Sequence, residues 1–209
     1  MTGPREAPSR RLSPVIAFTA VYITFALVLA LRRGNQEFVL YIAVMFVLIG
    51  VVWLVHRSVN LSTASLWALS AWGLAHMAGG LVVVPESWSV DAASRVLYSW
   101  WLIPERLKYD NVVHAYGFGV TTWVCWQGLR AAISRRGGAA TPTVGLMVLA
   151  ATAGLGFGAL NEVVEFAATL LVPETNVGGY VNTGWDMVSN LVGATTAAAA
   201  IWIVDGGRG

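Results

Sequence analysis

An all-α fold, a polytopic transmembrane helix bundle of about six spans, is predicted by three observations: an excess of apolar residues, apolar runs of membrane length between short polar loops, and polar side chains spaced three or four apart inside several runs. Hydrophobic residues make up 56% of the 209 positions and charged residues only 11%, with a mean hydropathy of +0.65. Soluble domains carry about 25% charged residues, so a water-soluble fold is excluded. The net charge of +2 has no basic stripe behind it, which excludes a nucleic-acid surface. The single cysteine, Cys125, stands among apolar residues beside Trp123 and Trp126 and reads as packing.

Residues 1–13 are polar, with Pro4, Pro8 and three arginines, and read as a cytoplasmic tail. A single transmembrane domain follows over 14–204, with 205–209 as a C-terminal tail. The first span, 14–31, is longer than the core of a signal peptide, which is about 7 to 15 residues, and reads as an uncleaved anchor. The second, 38–55, holds no ionisable residue. Asn60 is placed to cap the third, 61–84, which carries His76 and ends at Pro85. The stretch to Asp110 is too polar to span and holds Trp88, Trp100 and Trp101, so it reads as an interfacial segment between spans three and four, in the form of a short amphipathic helix. The fourth span is 110–129, the fifth 144–172 and the sixth 185–204. Along the fifth, Ala150, Gly154, Gly158 and Glu162 recur every four residues, a stripe of small residues that lets another helix approach.

With the N terminus inside, eight basic residues face the cytoplasm (Arg5, Arg10, Arg11, Arg57, Arg130, Arg135, Arg136, Arg208) and five face out (Arg32, Arg33, Arg95, Arg106, Lys108). That bias puts both termini in the cytoplasm. His76 and Glu165 then lie about 12 to 14 Å from the outer ends of their helices at 1.5 Å per residue. Asp110 with His114, and Asp186 with Asn190, occupy the first turns of helices entering from the same side. All fall in the outer half of the bundle.

Residues four apart share a helix face, as do residues three apart, so Asp110 and His114, Glu162 and Glu165, and Asp186 and Asn190 each aim at one neighbour. A carboxylate in mid-membrane costs about 2.5 to 3.5 kcal/mol, and no Lys or Arg lies within the spans to pair with these. The compensations left are protonation, histidine partners, a water-filled cavity or a metal ion. Two histidines and several carboxylates suit zinc, manganese or iron. A divalent metal on His76, Asp110, His114, Glu162 and Asp186 is therefore expected, with Glu165 as general base beside Glu162, and Asn182 and Asn190 in support. Each residue has a plainer alternative. Asp110 complements a helix dipole; Asp186, three residues after Thr183, fits a capping box; His76 fits a core histidine; Asn190 fits interhelical glue. The two glutamates resist such accounts most.

The order DNVVH, then NEVVE, then WDMVSN followed by Gly193 resembles the VanZ-like membrane proteins, and HMAGG, DNVVHAYGFG, EVVE and the final WDM resemble the YjdF-like family of bacterial inner-membrane proteins more closely. The resemblance covers residues 75–194. Asn111 stands where VanZ-like proteins often carry lysine, Glu165 where they carry glutamine, and Asn182 where YjdF-like proteins carry aspartate. The resemblance implies a multi-pass protein of the bacterial cytoplasmic membrane concerned with the cell envelope. Three functions are expected from residues and resemblance together: a divalent-metal enzyme acting on a lipid-linked or amphiphilic substrate; a proton- or cation-coupled transporter or binding protein; or a structural assembly factor. Three histidines are too few for a histidine-rich desaturase, and no GxSxG supports a serine hydrolase.

Overall fold

The computed structural model describes residues 8–91 and 94–206, with side chains described from residue 12 onward. Its architecture is an α-helical bundle: α1 (Pro8–Arg33), α2 (Gln36–Val59), α3 (Thr63–Leu81), α4 (Tyr109–Ser134), α5 (Val144–Leu171) and α6 (Tyr180–Gly206). Helix α1 begins at Pro8, so the latter half of the expected tail is helical; residues 1–7 lie outside the described residues, as do 207–209 of the expected C-terminal tail. Helix α6 likewise includes residues 205 and 206.

The expectation of about six spans is overturned. Among the described residues, four helices are long and apolar enough to cross a membrane: Leu12–Arg33, Gln36–Val59, Val144–Leu171 and Tyr180–Gly206. Helices α3 and α4 fall short for different reasons. In α3, three glycines, two serines, two tryptophans and His76 dilute the apolar content of 19 residues. Helix α4 has the length, at 26 residues, but carries Asp110, Asn111, His114, Gln127 and Arg130.

The third run also ends earlier than its proline implies. Val82 leaves the helix in extended backbone, Val84 N–H donates to Arg95 O at 2.9 Å and Leu97 N–H to Val82 O at 2.9 Å. Residues 82–91 and 94–108 thereby form a strap of short β contacts, with one 3-10 turn at Leu97–Ser99, in place of the expected amphipathic helix. Val83 pairs with Val96 and Val90 with Trp100. Strands β1 (Trp101–Ile103) and β2 (Leu107–Lys108) make an antiparallel hairpin turned by Glu105 in left-handed backbone at φ 57°. The β-branched and aromatic residues of this stretch (Val82, Val83, Val84, Val90, Val96, Trp100, Trp101 and Ile103) favour such pairing over a helix. Asn60 proves to be the C-cap of α2, left-handed at φ 59°, while the Ser62 side chain caps α3 by accepting from Ser65 N–H.

Two apolar cores hold the bundle. Tyr22, Ile23, Ala26, Phe38, Ile42, Met45, Met77 and Leu81 join α1, α2 and α3, with Ala168 of α5 against them. Trp126, Met147, Ala150, Ala198 and Ile201 join α4, α5 and α6. Other large apolar side chains point outward, among them Val21, Phe25, Leu54, Leu170 and Ile203. A surface of that kind is stable against lipid, and the chain is a multi-pass membrane protein. Helix α4 is central, packing on α3, α5 and α6. Its backbone meets α6 where glycines remove the side chain: a Cβ on Gly193 would overlap the Ala115 carbonyl, and one on Gly119 would lie 3.2 Å from the Gly193 carbonyl oxygen.

Candidate metal centre

Helix direction brings the polar residues to one end of the bundle. The last turns of α3 and α5 lie beside the first turns of α4 and α6, so residues far apart in sequence converge. In α5, the small-residue stripe makes this approach possible. Gly154 faces Thr122, and a Cβ on Gly158 would lie 2.8 Å from Asn190 Nδ2. With α5 seated so closely, the two glutamates a turn further on are carried toward α4.

His114 is the centre of the cluster. Its Nε2 lies 3.5 Å from Asp110 Oδ1 and 3.9 Å from Glu165 Oε1; its Nδ1 lies 3.1 Å from Asn190 Oδ1 and 3.8 Å from Glu162 Oε1. Among the described residues, two sets of potential ligand atoms each fall within 4.8 Å: Asp110, His114 and Asp186, and His114, Glu162 and Glu165. His114 and Asp186 are buried, the latter with no exposed surface (0%). This buried histidine and carboxylate cluster is capable of coordinating a metal ion.

Asp186 is not a helix cap. Helix α6 begins at Tyr180, which places Asp186 within the helix, where Asn182 Nδ2 donates to its Oδ2 at 2.6 Å and Asn111 Nδ2 approaches its Oδ1 at 3.5 Å. Asn182 in turn accepts from Lys108 Nζ, and Lys108 pairs with Asp91 at 2.9 Å. Lys108 is therefore a cation at the site that sequence reasoning placed in the interfacial segment and left out of the cluster. Asn161, also missed, donates to Glu165 Oε1 at 2.7 Å from four residues away on the same helix face. Asp110 lies in the first turn of α4, where its charge complements the helix dipole, with its Oδ1 beside His114.

His76 is not brought into either set. Its ring stacks on Trp72 with centroids 5.6 Å apart and meets Tyr41 at 5.8 Å, and its Nδ1 is hydrogen-bonded to the Tyr98 hydroxyl. Burial, with the charges of Asp110 and Glu165, holds the Tyr98 phenol well above its ordinary pKa, so it stays protonated and donates. His76 Nδ1 is thus the acceptor and Nε2 carries the hydrogen, a tautomer with no lone pair left for a metal. These surroundings are those of the core-histidine alternative.

One atom in the cluster is conspicuous. Glu162 Oε1 is buried and has no hydrogen-bond partner, in a side chain only 10% exposed. A buried acceptor without a donor costs about 1–3 kcal/mol, and a cation near His114 removes that cost.

No curated protein and no solved structure matches this chain. Residues 14–206 match the model of the family described as predicted membrane protein (DUF2238), and the chain belongs to that family.

Proposed function

We propose that the protein is a divalent-metal-dependent enzyme of the bacterial cytoplasmic membrane, acting by hydrolysis or transfer on an amphiphilic or lipid-linked envelope substrate. The observation that carries the metal is His114, ringed by four carboxylates, with Glu162 Oε1 left unpartnered among them. His114 Nε2, Asp110 and Asp186 hold the ion. Three protein ligands and an open position form the usual catalytic arrangement for zinc, and manganese or iron would accept the same donors. Such an ion lowers the pKa of water to about 7 and polarises a carbonyl or phosphoryl oxygen. Glu165, oriented by Asn161, stands beside Nε2 as general base. The arginines that precede α5 (Arg130, Arg135 and Arg136) keep its start in the cytoplasm on this reading, so that α5 ends and α6 begins toward the outer leaflet, where envelope lipids are reached. The YjdF-like and VanZ-like resemblance supports the envelope assignment.

Elemental analysis of detergent-purified wild type beside His114→Ala and Glu162→Gln, with folding checked by monodispersity, tests the metal. Stoichiometric zinc, manganese or iron in wild type, lost in His114→Ala and reduced in Glu162→Gln, is expected. A well-folded wild type free of metal after chelator-free purification would sink the metal centre and favour a proton- or cation-carrying site. Full lipid-processing activity in metal-free protein would do the same for the mechanism.

A further inference from the structure

Lys108 is the last residue of the strap and stands behind two side-chain amides that both reach Asp186. Its Nζ donates to Asn182 Oδ1, and Asn182 Nδ2 donates to Asp186 Oδ2 at 2.6 Å. Its backbone N–H donates to Asn111 Oδ1 at 3.0 Å, and Asn111 Nδ2 approaches Asp186 Oδ1 at 3.5 Å. An amide side chain accepts at one end and donates at the other, whereas an ammonium or a backbone N–H can only donate. Lys108 therefore draws both amide oxygens to itself and turns both amide nitrogens toward the carboxylate. Asp186 has no exposed surface, so these amides set how its two oxygens are held. Oδ2 is committed to Asn182, and Oδ1, with the longer approach, is the oxygen left to an ion.

The position of the ammonium depends in turn on the strap. It pairs with Asp91 at 2.9 Å and lies 6.0 Å from the centre of the Trp101 ring, the residue opposite Lys108 in the hairpin. Asp91 and Trp101 are themselves fixed by strap pairings, Asp91 N–H to Ser99 O and Trp101 N–H to Ser89 O, each at 3.0 Å. A strap that lifts takes Asp91 and Trp101 with it and releases the ammonium from Asn182.

We infer that Lys108 is a positioning residue of the metal centre: it acts through Asn182 on Asp186, and so links the docking of the strap to the binding of the ion. This rests on the metal centre proposed above. The link is reciprocal, so the factor by which a docked strap tightens the ion is also the factor by which the ion tightens the strap. Partners that orient a ligating side chain typically contribute 10- to 100-fold to metal affinity. Lys108 acts one residue further from the ion and belongs at the lower end, about tenfold.

Cobalt(II) affinity of the full chain in detergent, read by competition with a chromophoric chelator, and amide hydrogen exchange in the strap provide the test. In wild type, saturating cobalt should slow exchange about tenfold at the Leu97 and Trp101 amides, which donate to Val82 O and Ser89 O. Lys108→Met should weaken cobalt about tenfold and abolish that slowing, and Lys108→Arg, which keeps a cationic donor, should recover much of the affinity. Asn182→Leu should weaken cobalt at least as much. The double variant Lys108→Met with Asn182→Leu should be no weaker than Asn182→Leu alone, because Lys108 acts through that amide. Lowered stability in Lys108→Met with cobalt affinity unchanged would mark a merely structural lysine and overturn the inference. Losses that add in the double variant, or wild-type strap exchange that is the same with and without cobalt, would also overturn it, and all three results leave the metal centre standing. Wild type that takes up no cobalt would instead remove the metal centre and the inference with it.

Discussion

His114 Nδ1 lies 3.1 Å from Asn190 Oδ1, and this contact decides which nitrogen of the ring is free. An amide oxygen can only accept, so Nδ1 carries the hydrogen and the Nε2 lone pair is turned toward Asp110 and Glu165. Partners of this kind fix the tautomer and the orientation of a ligating histidine, and their loss typically lowers metal affinity 10- to 100-fold. Asn190→Leu should therefore retain the helix yet bind zinc or cobalt about 10- to 100-fold more weakly, measured by competition with a chromophoric chelator. Affinity equal to wild type would show that Asn190 merely holds helices together.

Gly193 sets how closely α6 can lie against α4, since its missing side chain leaves room for the Ala115 carbonyl. The obstacle is backbone, which cannot turn aside as a side chain would. Gly193→Ala should lower stability by about 1–3 kcal/mol or more and loosen the metal centre, because His114 precedes Ala115 and Asn190 lies one turn before Gly193. Gly128, in the same helix α4, has open space at its Cβ position. Gly128→Ala should instead raise stability by up to about 1 kcal/mol, the ordinary helix preference. Thermal unfolding in detergent distinguishes the two, and equal effects would refute the close-packing account.

The legible part of the site was the part that the membrane makes expensive. Asp110 with His114 and Glu162 with Glu165 stood out because polar residues at helical spacing in apolar runs need a reason, and the structure sets them around one ring. The small-residue stripe of α5 was legible for the same reason, and Gly154 and Gly158 do receive neighbouring side chains. Lys108 and Tyr98 were not, because their approach depends on how the strap folds back, and isolated β pairings leave no helical period to read. The span count failed where run length was weighed above content: α4 is long enough but too polar, and the valines after Leu81 belong to the strap. Glu37 was missed because it precedes the apolar run of α2 by a single residue, yet it is buried and holds Asn176.

Lys108 joins the strap to α6. Its Nζ pairs with Asp91 and donates to Asn182, which in turn donates to Asp186 at 2.6 Å. Lys108→Met removes a buried donor and leaves Asn182 Oδ1 unpartnered, which should cost about 1–3 kcal/mol. Asp91→Asn should cost less, because Asp91 is the more exposed partner of the pair, at 28% against 10%. Limited proteolysis should show faster cleavage within 82–108 in Lys108→Met than in wild type. Unaltered cleavage and unaltered unfolding would show that the strap is held by its apolar contacts alone.

His76 separates a metal role from a packing role most cleanly. With Nδ1 accepting from Tyr98 and its ring against Trp72, it has no lone pair to offer a cation. His76→Phe keeps the aromatic contacts and removes both nitrogens, so metal stoichiometry should match wild type while His114→Ala loses the ion. Tyr98→Phe leaves His76 Nδ1 without its donor and should lower stability by about 1–3 kcal/mol, again with metal retained. In the double variant His76→Phe with Tyr98→Phe neither group is left unpartnered, and much of that loss should be recovered. Metal lost from a monodisperse His76→Phe protein would return His76 to the ligand set and show that the Tyr98 contact opens when the ion binds.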